Sequence, residues 1–252
     1  MRHFFSLIII SILFSASALA DHARVAIIID DIGYRASDKQ ALTLPGNVTF
    51  SVLPHTPFGK KLAQQAHNAN HDVMLHIPME AENGKKLGPG ALTTDMTEQA
   101  IRRSLEKSVE EIPFAVGVNN HMGSKLTKLY SPMAWTMRFL KERNLLFVDS
   151  LTTTRSKASN VAHHFGVPTL ERHIFLDNHL TDEYISHQFE QLISHAKKYK
   201  RTIAIAHPHP ETVATLTRLI PTLADNGIEL VPISALSKHY NNNGNSTIAT
   251  ED

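Results

Sequence analysis

Short runs that are apolar at nearly every position alternate along the chain with longer stretches whose apolar residues recur every three or four places. The runs fall at 25–30 (VAIIID), 48–53 (VTFSVL), 73–78 (VMLHIP), 114–119 (FAVGVN), 145–149 (LLFVD), 173–176 (HIFL), 202–207 (TIAIAH) and 228–233 (IELVPI). Continuously apolar, β-branched strands are covered on both faces, as in parallel sheets. The longer stretches read as helices with recognisable ends. Segment 95–111 places Met96, Ala100, Ile101, Leu105 and Val109 near the 3.6-residue period. Ser131-Pro132 predicts a helix start, with the helix running to about Arg143. Pro210 opens another that is expected to reach Asn226, stopped by Gly227. Segment 181–199 is the longest amphipathic stretch. Alternating βα units predict a parallel sheet, either closed as a barrel or open and doubly wound. No linker or short repeat divides the chain, so one domain over 21–240 is expected. The tail 241–252 (NNNGNSTIATED) is polar and periodless, and is expected to be disordered.

The first 20 residues, MRHFFSLIIISILFSASALA, break this rhythm. A basic start at Arg2 leads into an apolar run and ends in Ala18-Leu19-Ala20, the pattern of a signal peptide cleaved after Ala20. The run is short for a bilayer span, and a retained anchor is the competing reading. No later segment is apolar enough to cross a membrane. The expected location is therefore periplasmic or secreted. Among 252 residues there is no cysteine, which excludes disulfides, thiolate metal sites and thiol nucleophiles. Lys+Arg number 25 against Asp+Glu 24, a balance that gives no field to attract nucleic acid. Histidine stands out at 16, enough imidazole for a metal site without sulfur.

Placement decides which histidines matter. In parallel α/β folds, functional side chains gather at the carboxyl ends of strands. Here the first strand ends in Asp30-Asp31, the third in His76-Ile77-Pro78-Met79-Glu80 and the fourth in Asn119-Asn120-His121-Met122-Gly123-Ser124. The fifth ends in Asp149-Ser150, and a late one in His207-Pro208-His209. Adjacent carboxylates point to opposite faces of a strand, so Asp30 and Asp31 are expected to serve different tasks. Imidazoles from separate loops with one carboxylate suit Zn²⁺, or Co²⁺, Ni²⁺ or Mn²⁺. A bound ion would lower the pKa of its water, with a carboxylate as general base and a histidine as general acid. The plainer readings are an Asp-Asp helix-capping turn, a hydrogen-bonded core histidine at His76 and a rigid turn at HPHP. His163, His164, His179, His187 and His195 read as solvated helix positions, and His55 is ambiguous.

The ordered set IIIDDIGY (27–34), HIPME (76–80), GVNNHMGS (117–124), FVDS (147–150) and AHPHPET (206–212) resembles the divergent polysaccharide deacetylases. The resemblance covers most of 25–235. It implies a distorted (β/α) barrel of seven or so parallel strands, with a divalent metal that serves hydrolysis of N-acetyl groups on sugars. Carried over, Asp30 matches the catalytic base, Asp31 the metal-binding Asp and His207 the histidine that protonates the leaving amine. Asp149 stands near where the family often places an Asp that tunes that histidine. His76 matches the first histidine of the metal motif, Glu80 stands where the second would be, and His121 can replace it. A second alignment puts NHMGS on the metal motif, with Lys125 at the second histidine position. The implied metal set is Asp31, His76 and His121, with Glu80 or His209 as supporting or alternative ligands and Asn120 and Ser124 as substrate contacts.

Three functions compete. The first is a metal-dependent deacetylase acting on a polysaccharide or peptidoglycan-type glycan. The second is a deacetylase-like module that binds glycan or an envelope protein without turnover. The third is a metallo-phosphoesterase, since His-x-His pairs serve metals there too.

Overall fold

The computed structural model describes residues 22–237; the expected signal peptide (1–20) and polar tail (241–252) lie outside the described residues. Nine parallel strands form one sheet: β1 (Ala23–Ile32), β2 (Thr49–Val52), β3 (Val73–Met79), β4 (Gly117–Met122), β5 (Leu146–Asp149), β6 (Thr169–Glu171), β7 (Ile174–Phe175), β8 (Arg201–Ala206) and β9 (Ile228–Leu230). Their order is β6-β5-β4-β3-β2-β1-β8-β7, and β9 pairs with the first residues of β1. The sheet curls into a distorted (β/α) half-barrel, as expected, and β6 and β7 stand at its two ends. Among the described residues seven α-helices fill the connections: α1 (Gly59–Asn68), α2 (Glu98–Glu111), α3 (Tyr130–Glu142), α4 (Ala158–Phe165), α5 (Asp182–Tyr199), α6 (Pro210–Leu219) and α7 (Thr222–Asp225).

Alternation, hidden in the all-apolar strands, separates two cores. Ile27, Ile29, Leu75, Ile77 and Phe147 pack with helix residues such as Leu105, Met137 and Leu192. Ala26, Ile28, Met74, Leu146, Val148, Ile203 and Ile205 form a second cluster on the opposite face, inside the curl. Two residues further along the same inward rows stand Asp30, His76, Ser150 and His207. The interior is thus apolar at its floor and middle and turns polar at the carboxyl ends of the strands.

Several boundaries moved for physical reasons. β4 starts at Gly117 rather than 114; a Cβ there would come within 2.6 Å of the Leu146 carbonyl oxygen, so only glycine lets β4 lie against β5. The helix expected over 210–226 breaks between α6 and α7 at Pro221, which has no N–H to continue the ladder. Ser131 lies inside α3 rather than capping it, with Pro132 in the first turn. Thr97 and Thr181 cap α2 and α5, each hydroxyl accepting a backbone N–H three residues on.

Candidate active site

The two adjacent carboxylates end up side by side. The β1–β2 pairing is irregular between Ile29 and Ile32, and Asp31 takes a left-handed backbone with φ of 59°. That turn cancels the strand's alternation and swings Asp31 toward the interior beside Asp30. The expectation that the pair would face opposite ways is corrected by this bulge. His76 Nε2 then lies 3.1 Å from Asp31 Oδ1 and 3.6 Å from Asp30 Oδ2. His121, from β4, puts Nδ1 2.8 Å from the same Asp31 oxygen and 3.2 Å from His76 Nε2.

These three atoms meet without a proton well placed between them and the oxygen: Asp31 Oδ1 is buried and has no directed hydrogen bond. An orphaned buried acceptor facing two imidazole nitrogens is the donor set of a divalent cation. Edges of 2.8, 3.1 and 3.2 Å are close to the roughly 3.3 Å between ligands of a tetrahedral ion with bonds near 2.0–2.1 Å. Asp31, His76 and His121 therefore fit such an ion.

A second pair faces this cluster. His207 follows β8, and its Nδ1 lies 3.0 Å from Asp177 Oδ1. The other Asp177 oxygen accepts the His207 backbone N–H at 2.7 Å and the Thr212 hydroxyl at 3.0 Å. His207 Nε2 is left pointing inward, 4.0 Å from Asp31 Oδ2. The carboxylate that orients His207 is thus Asp177 and not Asp149. Asp149 sits one residue out of phase with the inward row, on the same side as Phe147. Its oxygens accept the Leu151 N–H at 2.9 Å and the Ser156 hydroxyl at 2.6 Å, which folds the loop after β5.

Other expected contacts also turn out to brace loops. Asn120 accepts the Ser150 N–H at 2.9 Å and donates to the Met122 carbonyl at 2.7 Å. Ser124 accepts the Glu82 N–H at 3.1 Å. Glu80 pairs with Lys125 and accepts the Thr94 N–H and hydroxyl at 2.6 and 2.7 Å, so it faces away from Asp31. His209 precedes α6 with its ring 6.2 Å from that of His207, and it is not one of the three converging ligands. Sequence reasoning passed over Asn119 and Asp177. Asn119 donates to Asp30 Oδ1 at 2.8 Å and lies 2.8 Å from His76 Nδ1. The two-residue rhythm leading inward to Asn119 on β4 was the available signal.

The description of the divergent polysaccharide deacetylase family matches residues 27–237, which include every one of these side chains. The chain belongs to that family. Escherichia coli YibQ, described as an uncharacterized protein, is 38% identical over 214 residues, covering 84% of this chain and 67% of its own length. Among solved structures, the uncharacterized Agrobacterium tumefaciens protein ATU2773 superposes with a TM-score of 0.82 at 26% identity, over 85% of this chain and 89% of that one. A family 4 carbohydrate esterase pseudoenzyme from Bacillus anthracis shares the fold with a TM-score of 0.53 at 14% identity, over 86% and 66% of the two chains.

In this family member the site's charges are tuned by burial and by one another. Burial pushes the Asp30 carboxyl above its ordinary range, against the pull of His76 and His207. Asp31 is pushed the same way by burial, but His121 and His76 outweigh it and hold the carboxylate well below the usual range. Burial works against a charge on His76, yet Asp30 and Asp31 raise its pKa overall. Burial likewise opposes protonation of His207, and Asp177 with the two site carboxylates overcomes it, lifting the imidazole to about 9. Asp149 is raised by burial, partly offset by Ser156 and Leu151. Lys125 and Thr94 hold Glu80 down at about 2. The arrangement sets a carboxyl raised by burial, a cluster of three side chains that could hold a cation and an imidazole lifted to about 9 around one opening.

Proposed function

We propose that this divergent polysaccharide deacetylase is an exported, metal-dependent hydrolase that removes N-acetyl groups from an envelope or extracellular polysaccharide. The observation that carries the proposal is the convergence of Asp30, Asp31, His76, His121 and the His207–Asp177 pair on one rim. Asp31, His76 and His121 would hold the ion, for which their oxygen and nitrogen donors favour Zn²⁺. When bound, the ion supplies a water acidified toward neutrality and Lewis-acid polarisation of the acetyl carbonyl. Asp30, raised by burial and fixed by Asn119, accepts the proton of the attacking water. His207, protonated at neutral pH and oriented by Asp177, delivers a proton to the departing amine. The half-barrel walls exclude bulk water from Asp30 and His76, both 2% exposed. Export rests on the signal-like residues 1–20; among the described residues no helix is long and apolar enough to cross a membrane.

Protein loaded with zinc is expected to release acetate from N-acetylated glycans. Asp31→Ala is expected to abolish both metal uptake and release. A wild type that takes up no divalent metal overturns the proposal. A second reading, a glycan-binding module without turnover, draws on Glu80, which stands in the expected motif position but is held by Lys125 and Thr94. Glycan binding that survives in an Asp30→Asn, His207→Ala double variant, with no acetate released by the wild type, would favour it.

A further inference from the structure

Asn119 is wholly buried and has a hydrogen-bonding contact at each of its four positions. Its Oδ1 faces the Ser51 hydroxyl at 2.5 Å and His76 Nδ1 at 2.8 Å; its Nδ2 faces Asp30 Oδ1 at 2.8 Å and Ser150 Oγ at 3.5 Å. β3 and β4 pair His76 directly with Asn119, so the amide and the imidazole share one level of the interior. Asp30 is three strands away on β1, a separation of roughly 14 Å in a flat sheet. Only the curl lets one amide reach both.

The amide has just one orientation compatible with an ionised base. A carboxylate accepts and cannot donate, so the NH₂ must face Asp30. The carbonyl oxygen then faces His76 Nδ1, which must carry the ring proton to donate to it. Neutral His76 is thereby left with a bare Nε2, the atom that lies 3.1 Å from Asp31 and 3.2 Å from His121. We infer that Asn119 is a positioning residue that sets the His76 tautomer for cation binding and, through the same amide, holds Asp30 as a proton acceptor. The inference rests on the proposed metal site and adds to it: the ligand and the base are oriented by one side chain and cannot be tuned separately. Ser51 has a supporting part, occupying the second lone pair of Oδ1.

The test uses the full chain with Co²⁺ and Zn²⁺ and two variants that separate the amide's halves. Asn119→Leu removes both, and its affinity for Co²⁺, read by competition with a chromogenic chelator, is expected to fall about 10–100-fold. Asn119→Asp retains an acceptor for His76 but sets a second carboxylate against Asp30. It is expected to keep Co²⁺ affinity near wild type while kcat for acetate release from N-acetylglucosamine oligomers falls about 10²–10⁴-fold. In the zinc-loaded wild type, ¹⁵N-resolved histidine spectra are expected to show His76 protonated at Nδ1 and metal-bound at Nε2. The opposite tautomer overturns the inference, as does wild-type Co²⁺ affinity in the Leu variant or unchanged kcat in the Asp variant. Because Asp is nearly the same size as Asn, that variant and the wild-type spectra carry the test even if the Leu variant does not fold. A wild type that binds neither ion overturns the metal reading and this inference together. A metal-binding wild type with indifferent variants overturns this inference alone.

Discussion

At the scale of single residues, phase along a strand decides chemistry. Asp149 and Asp177 are both buried carboxylates, at 1% and 6% exposure, yet only Asp177 reaches His207. Its contact is what holds the imidazole protonated up to about pH 9 against the cost of burial. Asp177→Asn removes that support, so the folded-state pKa of His207 moves down and the protonated donor is lost at a lower pH. The alkaline limb of kcat is therefore expected to shift toward neutrality in Asp177→Asn, with a fall in kcat of about 10²-fold. Asp149→Asn is expected to leave that limb in place and to loosen the loop held by Ser156 and Leu151. A pH–rate series on both variants separates them; equal shifts would place Asp149 back beside His207. From the residues alone, Asp30, Asp31, His76, His121 and His207 were legible as a rim because each ends an apolar strand. Asp177 was not, since β7 is two residues long and shows no alternation to reveal that its end points inward.

At the scale of elements, the site depends on how closely β4 lies against its neighbours, because β4 carries both Asn119 and His121. Gly117 is the point of closest approach: an added methyl would lie 2.5 Å from Leu146 Cγ and 2.6 Å from the Leu146 carbonyl oxygen. Backbone cannot yield as a flexible side chain does, so Gly117→Ala must push β4 away from β5. The expected cost is about 1–3 kcal/mol, or a fall in Tm of roughly 2–12 °C for a domain of this size. Metal affinity should weaken with it, as the Asp31–His121 edge opens. Thermal unfolding and chelator competition on the same sample check both parts; an unchanged Tm would show that β4 has room to move. Elements of this kind were only half legible. Six long apolar runs and the helical patterns over 95–111 and 181–199 reveal most of the strands and the two longest helices. α1 escaped because its buried face is largely alanine and glycine, with Leu62 as its one large buried residue. β6 escaped because three residues cannot show a period.

For the whole molecule, the proposed cation binding is coupled to folding through the curl of the sheet. The proposed ligands come from β1, β3 and β4, and they approach within 3.2 Å only when the half-barrel has formed. The unfolded chain has no such cluster, so an ion bound there stabilises the native state by mass action. At a free ion concentration 100 times Kd the gain is about 2.7 kcal/mol, a rise in Tm of roughly 5–11 °C. Ligand nitrogens must be unprotonated to bind, so uptake releases protons and the gain should shrink as the pH falls through the His76 pKa, which Asp30 and Asp31 raise above its ordinary value against the effect of burial. Asp31→Ala is expected to remove the zinc-dependent rise, because one oxygen is shared by both imidazoles. It should also lower metal-free stability, since His121 and His76, which hold that carboxylate ionised, lose their partner. Calorimetry with and without Zn²⁺ at two pH values reads all three expectations. A Zn²⁺-dependent rise that survived in Asp31→Ala would move the ion elsewhere, and with it the assignment of His76 and His121 as its ligands.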